Sequence, residues 1–134
     1  MALKTILLVD DDVDFVEINR VALESSGYQV VIAHDADEAM RCVELSHIDA
    51  AILDVMMTRP DEGFHLARSM RKHARVKDVP LIMLTSVNAV HEAQGHPLRL
   101  NDKDRDETWL PVDKFLDKPV TPERLVSVVR QLVG

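Results

Sequence analysis

The sequence has few of the features that suit an exported or membrane-embedded protein. Its one cysteine, Cys42, cannot form an internal disulfide and therefore fits a reducing compartment. No apolar stretch reaches the length of a membrane span, and the N-terminus leads into a strand without the layout of a signal peptide. These absences predict a cytoplasmic protein with no membrane partner.

Positive charge is also scarce. The chain carries 16 Lys and Arg residues against 23 Asp and Glu residues, which gives a formal net charge of -7 at pH 7. This balance argues against direct binding of nucleic acid or of an anionic membrane surface as the main activity. The six histidines show no metal-ligand spacing, so the sequence does not predict a zinc site.

The chain is 134 residues long, which is the length of one ordinary domain. We expect residues 1–134 to form that single domain, with no output domain. Five short apolar runs alternate with segments of helical periodicity, and this alternation predicts an α/β fold with a parallel sheet covered by helices on both faces. The predicted strands are Thr5–Val9, Gln29–Ala33, Ala50–Asp54, Leu81–Thr85 and Lys114–Lys118.

The helices are predicted from apolar spacing and from capping residues. Gly27 closes the first helix, Asp35 and Glu38 form a capping box for the second, and Thr121 with Pro122 opens the last one. A third helix is predicted over Phe64–Lys72. The predicted apolar faces are Phe15, Ile18 and Ala22 in the first helix, Ala36, Ala39, Met40 and Val43 in the second, and Leu125, Val128, Val129 and Leu132 in the last.

One segment is longer than this alternation needs. Ser86 to Asp113 would have to supply only a helix and two short connections, and structureless loops beyond about 12–15 residues are uncommon in compact domains. We expect the segment to be either functional or partly disordered, with a short or irregular helix early in it and a mobile polar tip. Trp109 is predicted to pin the segment to the core.

Polar side chains stand at the ends of four predicted strands. Because the carboxyl ends of parallel strands meet at one edge of the sheet, one crevice is expected to hold them all. Three carboxylates in one crevice repel one another unless a cation lies among them, and all-oxygen ligands suit Mg²⁺. An ammonium and a hydroxyl complete the equipment for phosphoryl transfer, with Asp54 as the nucleophile. The converging residues are Asp10, Asp11, Asp54, Thr85 and Lys118.

The sequence resembles a receiver domain of a bacterial two-component response regulator, close to the stand-alone chemotaxis type. Four motifs in the same order along nearly the whole chain carry this resemblance. They are Leu8-Val9-Asp10-Asp11-Asp12, Leu53-Asp54-Val55-Met56-Met57, Leu84-Thr85-Ser86 and Phe115-Leu116-Asp117-Lys118-Pro119. The resemblance implies a doubly wound, flavodoxin-like fold with strand order 2-1-3-4-5, acting as a phosphorelay switch rather than a turnover enzyme.

The resemblance also implies a role for each matching residue. Asp10 and Asp11 hold Mg²⁺ together with Asp54 and the backbone carbonyl of Met56, with Asp11 favoured as the direct ligand. Asp54 accepts a phosphoryl group from a sensor histidine kinase or a phosphotransfer protein. Thr85 and Lys118 bind the phosphoryl oxygens, Phe115 is the aromatic switch that follows Thr85, and a downstream protein reads the changed surface. A cis Lys118–Pro119 bond is predicted as well.

Two segments depart from the family pattern. Receivers commonly follow the acceptor with Met-Pro-x-x-Asp-Gly, whereas here Met57 is followed by residues 58–63 with a displaced proline and one extra residue. The long Ser86 to Asp113 segment takes the place of the usual fourth-helix region. Met56 and Val87 flank the site and are apolar, so they should not assist an attacking water, and we predict slow autodephosphorylation.

Two other functions remain open at this stage. Asp10-x-Asp12 after an apolar strand resembles the start of the haloacid-dehalogenase phosphohydrolase signature, with Asp10 as nucleophile, although Asp14 stands where Thr or Val is wanted. Asp12 is instead predicted to cap the first helix. The third possibility is a receiver-like binding module that works without phosphorylation.

Overall fold

The computed structural model describes residues 3–54, 62–85, 112–118 and 120–133. Within these ranges the chain forms five strands and four helices. The strands are β1 (Thr5–Val9), β2 (Gln29–Ala33), β3 (Ala50–Asp54), β4 (Leu81–Thr85) and β5 (Lys114–Asp117), and the helices are α1 (Val13–Ser25), α2 (Ala36–Leu45), α3 (Glu62–Lys72) and α4 (Pro122–Val133).

The strands form one parallel sheet in the order β2-β1-β3-β4-β5. This confirms the predicted α/β architecture and strand order. Strands β1, β3 and β4 are buried at every position, as expected for strands that are covered on both faces and carry continuous apolar runs. None of the helices in the described ranges is long and apolar enough to cross a membrane.

Alternate residues of each strand contribute to two separate cores. On one face, Leu7, Leu53 and Met83 pack against α2 and α3, while on the other face Leu8, Ile52 and Leu84 pack against α1 and α4. This alternation follows from the two-residue repeat of a strand. The sheet is therefore held from both sides, and its strand ends are fixed relative to one another.

In three of the helices, a side chain at the N-cap position accepts a hydrogen bond from the first turn. Asp12 accepts a hydrogen bond from Phe15 N–H at 3.1 Å, as predicted, and Thr121 Oγ1 accepts one from Arg124 N–H at 3.1 Å. In α2, Asp35 accepts from Glu38 N–H at 2.8 Å. The Glu38 carboxylate, however, accepts from His34 N–H at 2.7 Å, so it reaches one residue further back than a standard capping box would require.

The predicted apolar face of α1 is partly wrong. Ile18 is 57% exposed, whereas Val16, Asn19 and Leu23 are the buried residues of this helix. The polar Asn19 lies on the buried face and interrupts the apolar pattern, which shifts the apparent stripe. Gly27 has φ +98°, the left-handed conformation expected after a helix end.

Two aspartates tie neighbouring strands together at the amino edge of the sheet. Asp49 N–H donates to Thr5 O at 2.8 Å, and Asp49 Oδ2 accepts from Thr5 N–H at 2.8 Å. Asp113 makes the same pair of bonds with Leu81, at 2.9 and 2.8 Å. Arg71 also donates to Asp113 Oδ2 at 2.6 Å and thereby joins the end of α3 to this edge.

The pair of hydrogen bonds between Asp49 and Thr5, here called the clamp, affects the pKa of Asp49. Burial opposes its charge, but the hydrogen bonds from Thr5 N–H and the His47 ring outweigh burial, and the pKa of Asp49 lies below its usual range. The clamp therefore depends on the charged form of the side chain.

Several predictions concern residues outside the described ranges. They are the Met56 carbonyl, the loop after Met57, Val87, most of the Ser86–Asp113 segment with Trp109, and the Lys118–Pro119 bond.

Candidate phosphoryl-transfer site

Two of the predicted site residues occupy neighbouring strand ends. Val9 of β1 pairs with Leu53 of β3, so the next residue of each strand, Asp10 and Asp54, emerges at the same carboxyl edge. Both side chains are buried, with Asp10 fully inaccessible and Asp54 5% exposed. Two acids so close at the end of a buried sheet are costly without compensation.

Asp11 completes a cluster of three carboxylates. One oxygen each from Asp10, Asp11 and Asp54 lies within 4.8 Å of the other two, and Asp11 is the solvent-exposed member. Partial desolvation and the neighbouring Asp10 raise the pKa of Asp11 above its usual value. The cluster thus has uncompensated negative charge on its open side.

Lys118 supplies one positive charge to this cluster. Its Nζ lies 3.0 Å from Asp10 Oδ2 and 3.4 Å from Asp54 Oδ1. Burial opposes the charge on the ammonium, but Asp54 and Asp10 outweigh it and raise the pKa of Lys118. Lys118 follows β5 directly, and its backbone N–H donates to Thr85 O at 2.7 Å, which fixes the base of the side chain.

Thr85 ends β4 and is buried, with 2% of its surface exposed. Its hydroxyl donates to Asp117 Oδ1 over 3.4 Å, a long hydrogen bond that sequence analysis did not anticipate. Phe115 is half-buried and packs against the core on the α2 and α3 side of the sheet. The switch role predicted for Thr85 and Phe115 stays a prediction.

Phe15 is a site residue that sequence analysis missed. Its ring centroid lies 4.7 Å from Lys118 Nζ, within the range of a cation–π contact. Sequence analysis assigned Phe15 to the apolar face of α1, and nothing in its spacing indicates a lysine 103 positions later in the chain. A signal was nevertheless present, because Phe15 lies in the first turn of a helix that begins at the site.

The geometry is unfavourable for Asp10 as a nucleophile. Asp10 Oδ1 accepts from Asp12 N–H at 3.0 Å, and Asp10 Oδ2 accepts from Lys118 Nζ at 3.0 Å. Both oxygens of a fully buried side chain are therefore engaged. Asp12 caps α1, so the second acid of the phosphohydrolase signature has a structural role.

The arrangement matches a known family along most of the chain. The family model for the response regulator receiver domain matches residues 6–100. The chain belongs to this family, whose members serve two-component signalling and are generally not turnover enzymes.

Curated relatives share about a third of the sequence. The chain is 33% identical over 130 residues to the probable transcriptional regulator ycf27 of Cyanophora paradoxa, covering 97% of the chain and 48% of that protein. It is 35% identical over 128 residues to the response regulator MprA of Mycobacterium ulcerans, covering 96% and 49%. The chain therefore spans about half the length of these relatives.

Solved structures agree in fold. The chemotaxis response regulator CheY4 of Vibrio cholerae superposes with a TM-score of 0.77 at 24% identity, covering 98% of this chain and 99% of that one. A putative response regulator from Chloroflexus aurantiacus superposes with a TM-score of 0.75 at 28% identity, covering 98% of each chain.

Proposed function

We propose that this receiver domain is a phosphorelay switch in which Asp54 accepts a phosphoryl group. The observation that carries the proposal is the juxtaposition of three carboxylates within 4.8 Å with an ammonium 3.0 and 3.4 Å from two of them. Such an arrangement is suited to binding a phosphoryl group and neutralising its charge, which is most of what phosphoryl transfer requires of a protein.

The donor set fits Mg²⁺. The donor atoms are all carboxylate oxygens, from Asp10, Asp11 and Asp54. Asp11 is exposed to solvent, which suits an ion that keeps several of its water ligands. The Met56 carbonyl is proposed as a further ligand. When bound, the ion would neutralise charge on the phosphoryl oxygens.

The chemical step is a displacement at phosphorus. An oxygen of Asp54 forms a bond to phosphorus while the bond from phosphorus to the imidazole nitrogen of a phosphohistidine donor breaks, and that nitrogen keeps the electron pair and is then protonated. Lys118 Nζ lies 3.4 Å from Asp54 Oδ1 and would bind a phosphoryl oxygen. The product is an acyl phosphate on Asp54.

The response to phosphorylation would begin at Thr85. Its hydroxyl donates to Asp117 over only a long contact, so a phosphoryl oxygen is a better acceptor. We propose that Thr85 turns toward the phosphoryl group and that the half-buried Phe115 follows it inward. Met56 and Val87, two positions after Asp54 and Thr85 in the sequence, are both apolar and would not assist an attacking water, so hydrolysis of the acyl phosphate would be slow.

The proposed partners are a sensor histidine kinase or a phosphotransfer protein upstream and a protein downstream, in the cytoplasm. The net charge of -7 supports proteins over nucleic acid as direct partners of these residues. The curated relatives named as regulators are about twice as long as this chain. We propose that residues 1–134 act as the receiver module.

The test is phosphorylation by a small donor. The protein is incubated with Mg²⁺ and acetyl phosphate, and the adduct is located by mass spectrometry of peptides. We expect one acid-stable, base-labile phosphoryl group, on Asp54, that is lost in Asp54→Asn and when EDTA replaces Mg²⁺. The exposed Asp14, in the first turn of α1, gives a matched control, because Asp14→Asn removes an acid outside the cluster.

Other outcomes would contradict the proposal. An adduct on Asp10 that survives Asp54→Asn would support the phosphohydrolase. Absence of any adduct with phosphoramidate as well as acetyl phosphate would support a phosphorylation-independent binding module.

A further inference from the structure

We propose that Phe15 is a positioning residue for Lys118, whose ammonium is held against Asp10 and Asp54 by the face of the Phe15 ring. The inference rests on the proposed function, because it concerns how the lysine of that site is held. The observation is the distance of 4.7 Å from Lys118 Nζ to the ring centroid, together with contacts of 3.0 and 3.4 Å to the two carboxylates.

A lysine in this position needs lateral support. Its side chain has four flexible carbons, and 27% of its surface is exposed, so rotamers that point the ammonium to solvent compete with the site. The aromatic face adds a second attraction for the ammonium to that of the carboxylates. A cation–π contact shifts such an equilibrium by about two- to thirtyfold, depending on its exposure.

The backbone from which the ring projects is held by two neighbouring side chains. Phe15 N–H donates to Asp12 Oδ1 at 3.1 Å, and Phe15 O accepts from Asn19 Nδ2 at 2.8 Å. Side chains therefore hold both peptide groups of Phe15, one turn before and one turn after it. These two bonds support the helical conformation of the backbone at Phe15.

Asn19, which makes the second of these bonds, is unusual for its position. It is a polar residue, 2% exposed, on the core side of a helix, and within the described part of the chain its Oδ1 has no hydrogen-bond partner. A buried amide with an unpaired oxygen is destabilising. The hydrogen bond from Asn19 Nδ2 to Phe15 O offsets part of this destabilisation. The buried amide therefore contributes to holding the backbone at Phe15.

The alternative is that Phe15 only packs, since it also contacts the core on the α1 and α4 side. Packing depends on the size of the ring, whereas attraction for a cation depends on its charge distribution. Mono-, di- and trifluorinated phenylalanine change the second property progressively and the first very little. Site-specific incorporation at position 15 therefore separates the two explanations.

The experiment has two readouts on the full chain. The first is the upfield ring-current shift of the Lys118 ε-methylene group in NMR spectra of the metal-free protein, which requires no phosphorylation. The second is the rate constant for phosphorylation of Asp54 by acetyl phosphate with Mg²⁺. We expect both to fall stepwise with fluorination, with Phe15→Leu slowing phosphorylation about fivefold and Phe15→Tyr close to the unmodified protein.

Matched controls keep the result specific. Val16→Ala alters the neighbouring buried residue of the same helix, so it should lower stability and leave the Lys118 shift in place. In a Lys118→Met background, fluorination at position 15 should no longer change the rate.

Each remaining outcome is decisive. If the shift and the rate are unaffected by fluorination, or if Val16→Ala reproduces both effects, Phe15 is a packing residue and the inference is wrong. If the unmodified protein forms no adduct but its Lys118 shift falls stepwise, the proposed function fails while the contact between Phe15 and Lys118 stands.

Discussion

Neutralising Asp11 should change the stability of the protein in opposite directions with and without magnesium. Asp11 is the exposed member of the carboxylate cluster, with an oxygen within 4.8 Å of oxygens of Asp10 and Asp54. Two unit charges at that separation repel by about 1 kcal/mol at the dielectric constant of water, and salt reduces this further. Lys118 offsets part of the repulsion.

In EDTA, Asp11→Asn should therefore raise the free energy of unfolding by about 1 kcal/mol. The pKa of Asp11 is raised by partial desolvation and by Asp10, which also indicates that its negative charge destabilises the folded protein. A carboxyl with a raised pKa binds more protons in the folded state than in the unfolded state, so the unmodified protein loses stability as pH rises through its titration. The variant should lack this loss.

In Mg²⁺ the order should reverse. A ligand at a hundred times its Kd stabilises the folded state by about 2.7 kcal/mol, and the variant has lost one charged oxygen ligand. Urea unfolding at matched ionic strength measures both effects, and Asp14→Asn is the control because Asp14 lies outside the cluster. A variant that is less stable than the unmodified protein in EDTA, or that gains as much from Mg²⁺, would refute the reasoning.

Three further predictions concern contacts away from the cluster. Asp49→Ala should lower stability by about 1–2 kcal/mol near neutral pH, because it removes the acceptor that takes a hydrogen bond from Thr5 N–H at 2.8 Å; since the pKa of Asp49 is lowered, urea unfolding should show the difference shrinking as pH falls through that pKa. Arg71→Lys should cost about 1–2 kcal/mol, because one ammonium cannot reproduce the guanidinium bonds that include Asp113 Oδ2 at 2.6 Å; equal urea midpoints would contradict this. Glu62→Ala should speed amide hydrogen exchange in the first turn of α2, because Glu62 Oε2 accepts from Ala36 N–H at 2.8 Å. Glu62→Gln keeps an acceptor and should show less of this effect.

The sheet and its site edge could be predicted from the sequence. A parallel strand buried on both faces must be apolar throughout, so runs such as Thr5–Val9 have few alternative interpretations. Once the strands are parallel, the polar residues that follow them have to meet. Asp10, Asp54 and Lys118 were therefore predictable as neighbours without any knowledge of side-chain geometry.

Helix faces were harder to predict. In α1, Ile18 is exposed and Asn19 is buried, which is the reverse of what their hydrophobicity favours. The buried Asn19 donates a hydrogen bond from Nδ2 to Phe15 O. The start of α3 lies two residues before the predicted Phe64, where Glu62 reaches α2. The Glu62 contact joins residues that are distant in the sequence, and Asn19 is a polar residue on a buried face. Apolar periodicity predicts neither of them.

Strand β5 is joined to β4 at both of its ends by backbone hydrogen bonds. Lys118 N–H donates to Thr85 O at 2.7 Å at one end, and Asp113 N–H donates to Leu81 O at 2.9 Å at the other. Pairing with β4 therefore sets the position of Lys118, and the phosphoryl crevice keeps its shape for as long as these two strands stay paired.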